Sequence, residues 1–119
     1  MKIINVTNHP VTIVAEDGIT ILLNIMPSGI HARLNIHRSS ILEQIEVAEG
    51  MFVQFPVTVT EYAEIIDLPE PEPDTIYIAS NYVAQEAKRP DVLAPRTDNT
   101  AIRDKDGNIV AVRSLVRYV

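Results

Sequence analysis

The chain reads as an α+β domain: mostly antiparallel sheet, or a small barrel-like β structure, with one principal helix at about residues 80–88. Three observations predict this class. Aromatic residues are scarce, at four Tyr, two Phe and no Trp among 119 residues, so the core must come from Ile, Val and Leu, which suit half-buried pleated surfaces. Two Asp-Gly pairs, Asp17-Gly18 and Asp106-Gly107, each sit between β-branched runs, the pattern of a hairpin. A single capped, helix-compatible segment follows a proline-rich connection.

Lys2 to Val6 is expected to be a short strand, closed by a turn at Asn8-His9-Pro10 because the residue before proline is pushed away from helix. Val11–Ala15 and Ile19–Ile25 form a hairpin around Asp17-Gly18. Pro27-Ser28-Gly29 then turns the chain into a period-two alternation, with Ile30, Ala32, Leu34 and Ile36 on one side and His31, Arg33, Asn35 and His37 on the other. Ser39 to Val47 fits either a helical turn or a strand. Met51 to Thr60 is β-branched, and Pro56 within it points to an edge position, a bulge or two short strands.

Leu68-Pro69-Glu70-Pro71-Glu72-Pro73-Asp74 excludes helix and central strand and is expected to be an extended connection, the seam of a single domain spanning 1–119. Thr75–Ala79 is a strand, and Ser80 or Asn81 caps a helix running through Lys88. Asp91–Pro95 is expected to be irregular. Ala101–Asp104 and Asn108–Arg113 pair around Asp106-Gly107, with Leu115–Val119 extending that second hairpin.

Without cysteine the chain has no disulfide, thiolate metal site or Cys nucleophile. The opening residues lack the apolar run and small-residue cleavage site of a leader, and no stretch reaches the roughly 18 apolar residues of a membrane span, so a cytoplasmic location without membrane contact is expected. The net charge of −6 argues against binding duplex nucleic acid. Charge is also divided along the chain: Ser39 to Ala87 contains no Lys or Arg, whereas the segment from Lys88 onward is net basic.

The polar row His31, Arg33, Asn35, His37 is either an anion-binding surface or the solvent face of a sheet. It is no metal site, because His31 and His37 stand roughly 20 Å apart on a straight strand. Candidate ligand-binding residues are His9 in its turn, Arg33, the Ser80–Asn81 helix start with its free N–H groups, and the pair Arg103 and Arg113 flanking the last hairpin. No glycine-flanked serine elbow, phosphate loop or dinucleotide fingerprint is present. The expectation is a non-enzymatic protein without cofactor or metal.

Asn5-Val6-Thr7-Asn8-His9-Pro10-Val11, Pro27-Ser28-Gly29, Leu68-Pro69-Glu70-Pro71, Thr75-Ile76-Tyr77-Ile78-Ala79-Ser80, Arg89-Pro90-Asp91 and the ending from Arg103-Asp104 through Gly107 to Arg113 occur in an order found elsewhere. Over nearly its whole length the chain resembles a family of small uncharacterised bacteriophage and prophage proteins, with Asn8 where those relatives more often carry proline. The resemblance implies a phage setting inside the host bacterium and a strand-rich fold, and it assigns no residue a role. By analogy with other small phage proteins, the expected function is antagonism of a bacterial defence system, by binding a host protein or sequestering a small anionic nucleotide signal. The alternative is a phage structural, assembly or house-keeping protein with no ligand, its edge strands pairing into a homo-oligomer.

Overall fold

A computed structural model describes all 119 residues. Strands hold 53% of the chain and one short helix 6%, in antiparallel sheets plus one mixed sheet, with no closed barrel. The α+β class is therefore as expected, in its sheet form. The chain divides into two units, Met1–Leu34 with Ile65–Val119, and Asn35–Glu64. The boundaries fall inside two long strands, and the Pro-Glu connection lies within the first unit.

In the first unit, β1 (Lys2–Asn5) leads to a hairpin of β2 (Val11–Val14) and β3 (Ile21–Ile25). The hairpin loop is longer than a two-residue turn. Gly18 alone adopts a left-handed φ, of 74°, while the Asp17 carboxylate accepts hydrogen bonds from Ile19 N, Thr20 N and the Thr20 hydroxyl. Asp17 thus organises the loop with its side chain.

The long strands β4 (Arg33–Ala48) and β5 (Met51–Ile66) follow. After β5 the chain runs without regular structure to β6 (Thr75–Ile78), then to α1 (Asn81–Ala87). Ser80 caps the helix by accepting from Val83 N at 3.2 Å, and Lys88 closes it in the left-handed region.

Next comes β7 (Val92–Pro95), where irregular chain is expected. Val92, Leu93 and Ala94 are all buried, so their burial between two strands outweighs the flanking prolines, which fall before the strand and at its last position. β8 (Ile102–Arg103) and β9 (Ile109–Ala111) form the expected second hairpin. The last strand, β10 (Leu115–Arg117), does not extend it. It pairs antiparallel with β7, completing a mixed sheet of order β1-β6-β7-β10 in which β6 lies parallel to both neighbours.

One core cluster joins this sheet to the helix: Val6, Ala32, Tyr77, Ala79, Val83, Ala84, Val92 and Ala94, with Leu34, Ile65, Leu68 and Tyr118 against it. Tyr77 is its largest fully buried side chain, its hydroxyl donating to Glu70 O at 3.1 Å so that burial leaves no polar atom unpaired. A second cluster of Val11, Ile13, Ile78 and Val112 joins the β2–β3 hairpin to the sheet.

The second unit is the outer part of the β4–β5 hairpin. Ser39 to Val47 is strand throughout, which decides between the two expected readings. The chain reverses at Glu49-Gly50, where Gly50 has a φ of 75° and donates its N–H to Glu46 Oε1 at 3.1 Å. His37 stacks on Tyr62 with ring centroids 4.2 Å apart, and Gln54 Nε2 donates to Gln44 Oε1 at 3.4 Å. Between these two cross-strand contacts β5 holds one residue more than β4. Pro56, which has no N–H to contribute, lies in that stretch of a two-stranded sheet, where each strand has a free edge.

Candidate functional site

The expected ligand residues are taken up by the fold at separate places. His9 occupies an exposed turn, its Nδ1 3.0 Å from Pro10 O, and its carbonyl accepts from the Asn5 amide at 2.8 Å and the Thr7 hydroxyl at 2.9 Å. Arg33 donates through Nη1 to Asp67 at 2.7 Å and to His31 O at 3.2 Å. Ser80 serves as the helix cap. Asn81 beside it donates to Pro95 O at 3.0 Å and accepts from the Tyr118 hydroxyl at 2.6 Å, tying the helix start to the sheet and to the last residues of the chain.

Arg103 and Arg113 are brought to one element, the turn at Thr97–Thr100. Arg103 donates to Thr97 O at 3.3 Å and to Gly107 O at 2.9 Å, and Arg113 donates to Thr100 O at 3.0 Å. Their guanidinium groups brace backbone carbonyls. Within that turn Asp98 is held down to about 2 by the Thr100 hydroxyl, the Thr100 N–H and then Arg96. Asp17 is lowered likewise, to about 2, chiefly by the Thr20 hydroxyl and N–H and the Ile19 N–H.

The polar row pairs with acids on the neighbouring strand. In the second unit, Glu64 lies 3.1 Å from His37 Nε2 and accepts from Asn35 Nδ2 at 3.3 Å, and both contacts lower its pKa. In the first unit, Gly29, Ile30, His31, Asp67, Leu68 and Pro69 line an open groove of about 440 Å³. Its volume is that of a small-ligand pocket, but the carboxylate in its wall already holds Arg33. No group of three or more His, Cys, Asp or Glu is placed to hold a metal ion.

The β4–β5 hairpin is exposed along its length: none of the residues from Asn35 to Glu64 is fully buried. On β5, Met51, Val53 and Phe55 point to one side and Phe52 and Gln54 to the other. On β4, Ile41, Glu43, Ile45 and Val47 alternate in the same way with Leu42, Gln44 and Glu46. Met51, Val53 and Phe55 on β5 and Ile45 and Val47 on β4 are between 39% and 61% exposed. Leu42 and Phe52 are exposed as well, so large apolar side chains stand on both faces of the hairpin. The alternation that reveals these faces is present in the sequence, but it reads there as a strand lying on a core.

No family model, curated protein or solved structure matches this chain. No helix is long and apolar enough to cross a membrane.

Proposed function

We propose that the chain is a non-enzymatic, phage-encoded binding protein that antagonises a bacterial defence system by gripping a host protein. The observation that carries this reading is the β4–β5 hairpin, 16 residues to each strand, with large apolar side chains exposed on both faces. Exposed apolar surface on this scale marks an interaction site. Phe52, exposed on β5 next to the turn, has the character of an interface anchor, and Glu43, Glu46 and Glu49 near the turn favour a basic partner surface.

Sequestration of an anionic nucleotide draws less support. The groove beside Arg33 has a suitable volume, but Asp67 in its wall repels an anion and occupies the nearby cation. Arg103 and Arg113 are likewise engaged with carbonyls.

Affinity capture from a defence-bearing bacterium tests the reading. The wild-type chain is expected to recover one protein in stoichiometric amount, and Phe52→Ala with Glu49→Lys is expected to lose it. Equal recovery by both proteins removes the hairpin from the interface. A rise in melting temperature with a cyclic or ADP-ribose-type nucleotide, with no protein captured, favours sequestration instead.

A further inference from the structure

The β4–β5 sheet has two strands, so each strand keeps one edge unpaired along its 16 residues. Outside that ladder, no backbone hydrogen bond of the chain involves a residue from 35 to 64. In an antiparallel pair the N–H and C=O groups of alternate residues point away from the neighbouring strand, and a row of such groups is a template for a further strand. A two-stranded hairpin is also marginal in water, and a third strand is one way to give it stability of its own.

The two edges differ. Proline in a sheet lies with its missing N–H on the open side, so Pro56 interrupts the free edge of β5. From Ser39 to Ala48, β4 has no Pro, Lys or Arg, and its only charges are Glu43 and Glu46. Ile41, Leu42, Ile45 and Val47 stand among them, between 47% and 70% exposed. We infer that the free edge of β4 takes an extended, Lys- or Arg-bearing segment of the host protein as a third strand, an inference that rests on the hairpin being the gripping surface.

Charge selects this occupant. From Ser39 to Gly50 the charged residues are Glu43, Glu46 and Glu49, all acidic. Opposite charges on adjacent strands support pairing and like charges oppose it. A second β4 edge laid alongside brings glutamate to glutamate, and nucleic acid or anionic lipid is repelled by the same field. A basic strand is attracted. By alternation, Ile41, Glu43, Ile45 and Val47 share one face of β4 and Leu42, Gln44 and Glu46 the other. A partner strand that alternates cations with branched apolar residues therefore lays its apolar row beside Ile41, Ile45 and Val47 and its cations beside Glu46.

Amide exchange of the full chain, with and without peptide, tests it. The probe is a synthetic peptide of about ten residues, the length of a long strand, alternating Lys and Val. With the peptide at about ten times its Kd, every second amide between Ser39 and Val47 should exchange about tenfold more slowly. The same peptide with methylated backbone nitrogens has no N–H to donate and should not bind, nor should its Glu-for-Lys counterpart. Glu43→Lys with Glu46→Lys should reverse the preference between the Lys and Glu peptides.

Failure of the Lys–Val peptide to bind overturns the inference, as do protection on β5 in place of β4, binding that survives methylation, or a preference that the charge reversal leaves unchanged. A host protein captured by a chain whose β4 amides ignore the peptide keeps the functional reading and removes the edge. Pairing with the peptide and no captured protein does the opposite.

Discussion

Thr7 donates its hydroxyl to Asn5 Oδ1 at 2.6 Å, and its backbone N–H donates to the same oxygen at 2.9 Å. The Asn5 amide completes the set by donating to His9 O and Ile25 O at 2.8 and 3.0 Å. Asn5 is 1% exposed, so every hydrogen-bonding position of its side chain is filled inside the protein. The Asn-x-Thr-x-His stretch is a structural brace that holds the turn after β1 to the end of β3.

Asn5→Ala is therefore expected to cost about 2–4 kcal/mol, because it leaves several buried or half-buried backbone groups unpaired at once. Asn5→Asp should be at least as damaging, since a carboxylate has no N–H for His9 O and Ile25 O. Urea unfolding measures both.

Arg89 holds Asp91 through Nε and Nη2 at 3.0 and 2.6 Å and donates through Nη1 to Pro69 O at 3.0 Å. Its guanidinium lies 6.0 Å from the centre of the Tyr77 ring. This pair is the least exposed of the four ion pairs, and the contact with Arg89 lowers the pKa of Asp91. Arg89→Lys should lose about 1–3 kcal/mol, because an ammonium cannot reproduce the planar fork. A double-mutant cycle with Asp91→Asn reads the coupling.

Gly18 is the glycine the fold cannot exchange. Its φ is 74°, and a Cβ there would come within 2.8 Å of Arg113 Nη2. Gly18→Ala should lower stability by about 1–2 kcal/mol, combining left-handed strain with displacement of Arg113 from Thr100 O. Thermal unfolding checks it, and Gly29→Ala, with open space around the added carbon, should show the strain alone.

Acid should act through the turn carboxylates. Asp17 and Asp98 sit at about 2 in the folded protein, against an ordinary value of 3.8. Depressed folded values mean that the unfolded chain binds more protons in this window. Their stabilising contribution is thus full above about pH 4 and is lost as pH falls towards 2. The double variant Asp17→Asn, Asp98→Asn should flatten the melting temperature against pH over that range.

Local chemistry was legible in the sequence wherever it governs structure within a few residues. The Ser80 cap, both Asp-Gly turns and the strand at Thr75 follow from such short-range rules. Long-range pairing was not. Nothing near Leu115 indicates that it lies beside Pro95 and not beside the second hairpin, because strand order is decided by which apolar faces meet in the folded core. Val92 to Ala94 fails for the same reason: flanking prolines describe the ends of a strand, and burial between β6 and β10 decides its middle.

The candidate ligand residues show the complementary limit. Arg33, Arg103 and Arg113 are conspicuous in the sequence as cations, but their partners, an aspartate and several carbonyls, come from residues 2 to 34 positions away. The hairpin failed to declare itself for the opposite reason. Met51 to Val59 alternates as a core strand does, and only the fold reveals that no core lies beneath it.

Infection of a defence-bearing host by a phage that the defence blocks is the most direct test, with the chain expressed in the host. Wild-type protein should restore plating of that phage, and Phe52→Ala with Glu49→Lys should abolish the rescue while leaving the melting temperature of the purified protein unchanged. Rescue that survives this double substitution, or that follows the groove variant His31→Ala instead, would contradict a function carried by the hairpin.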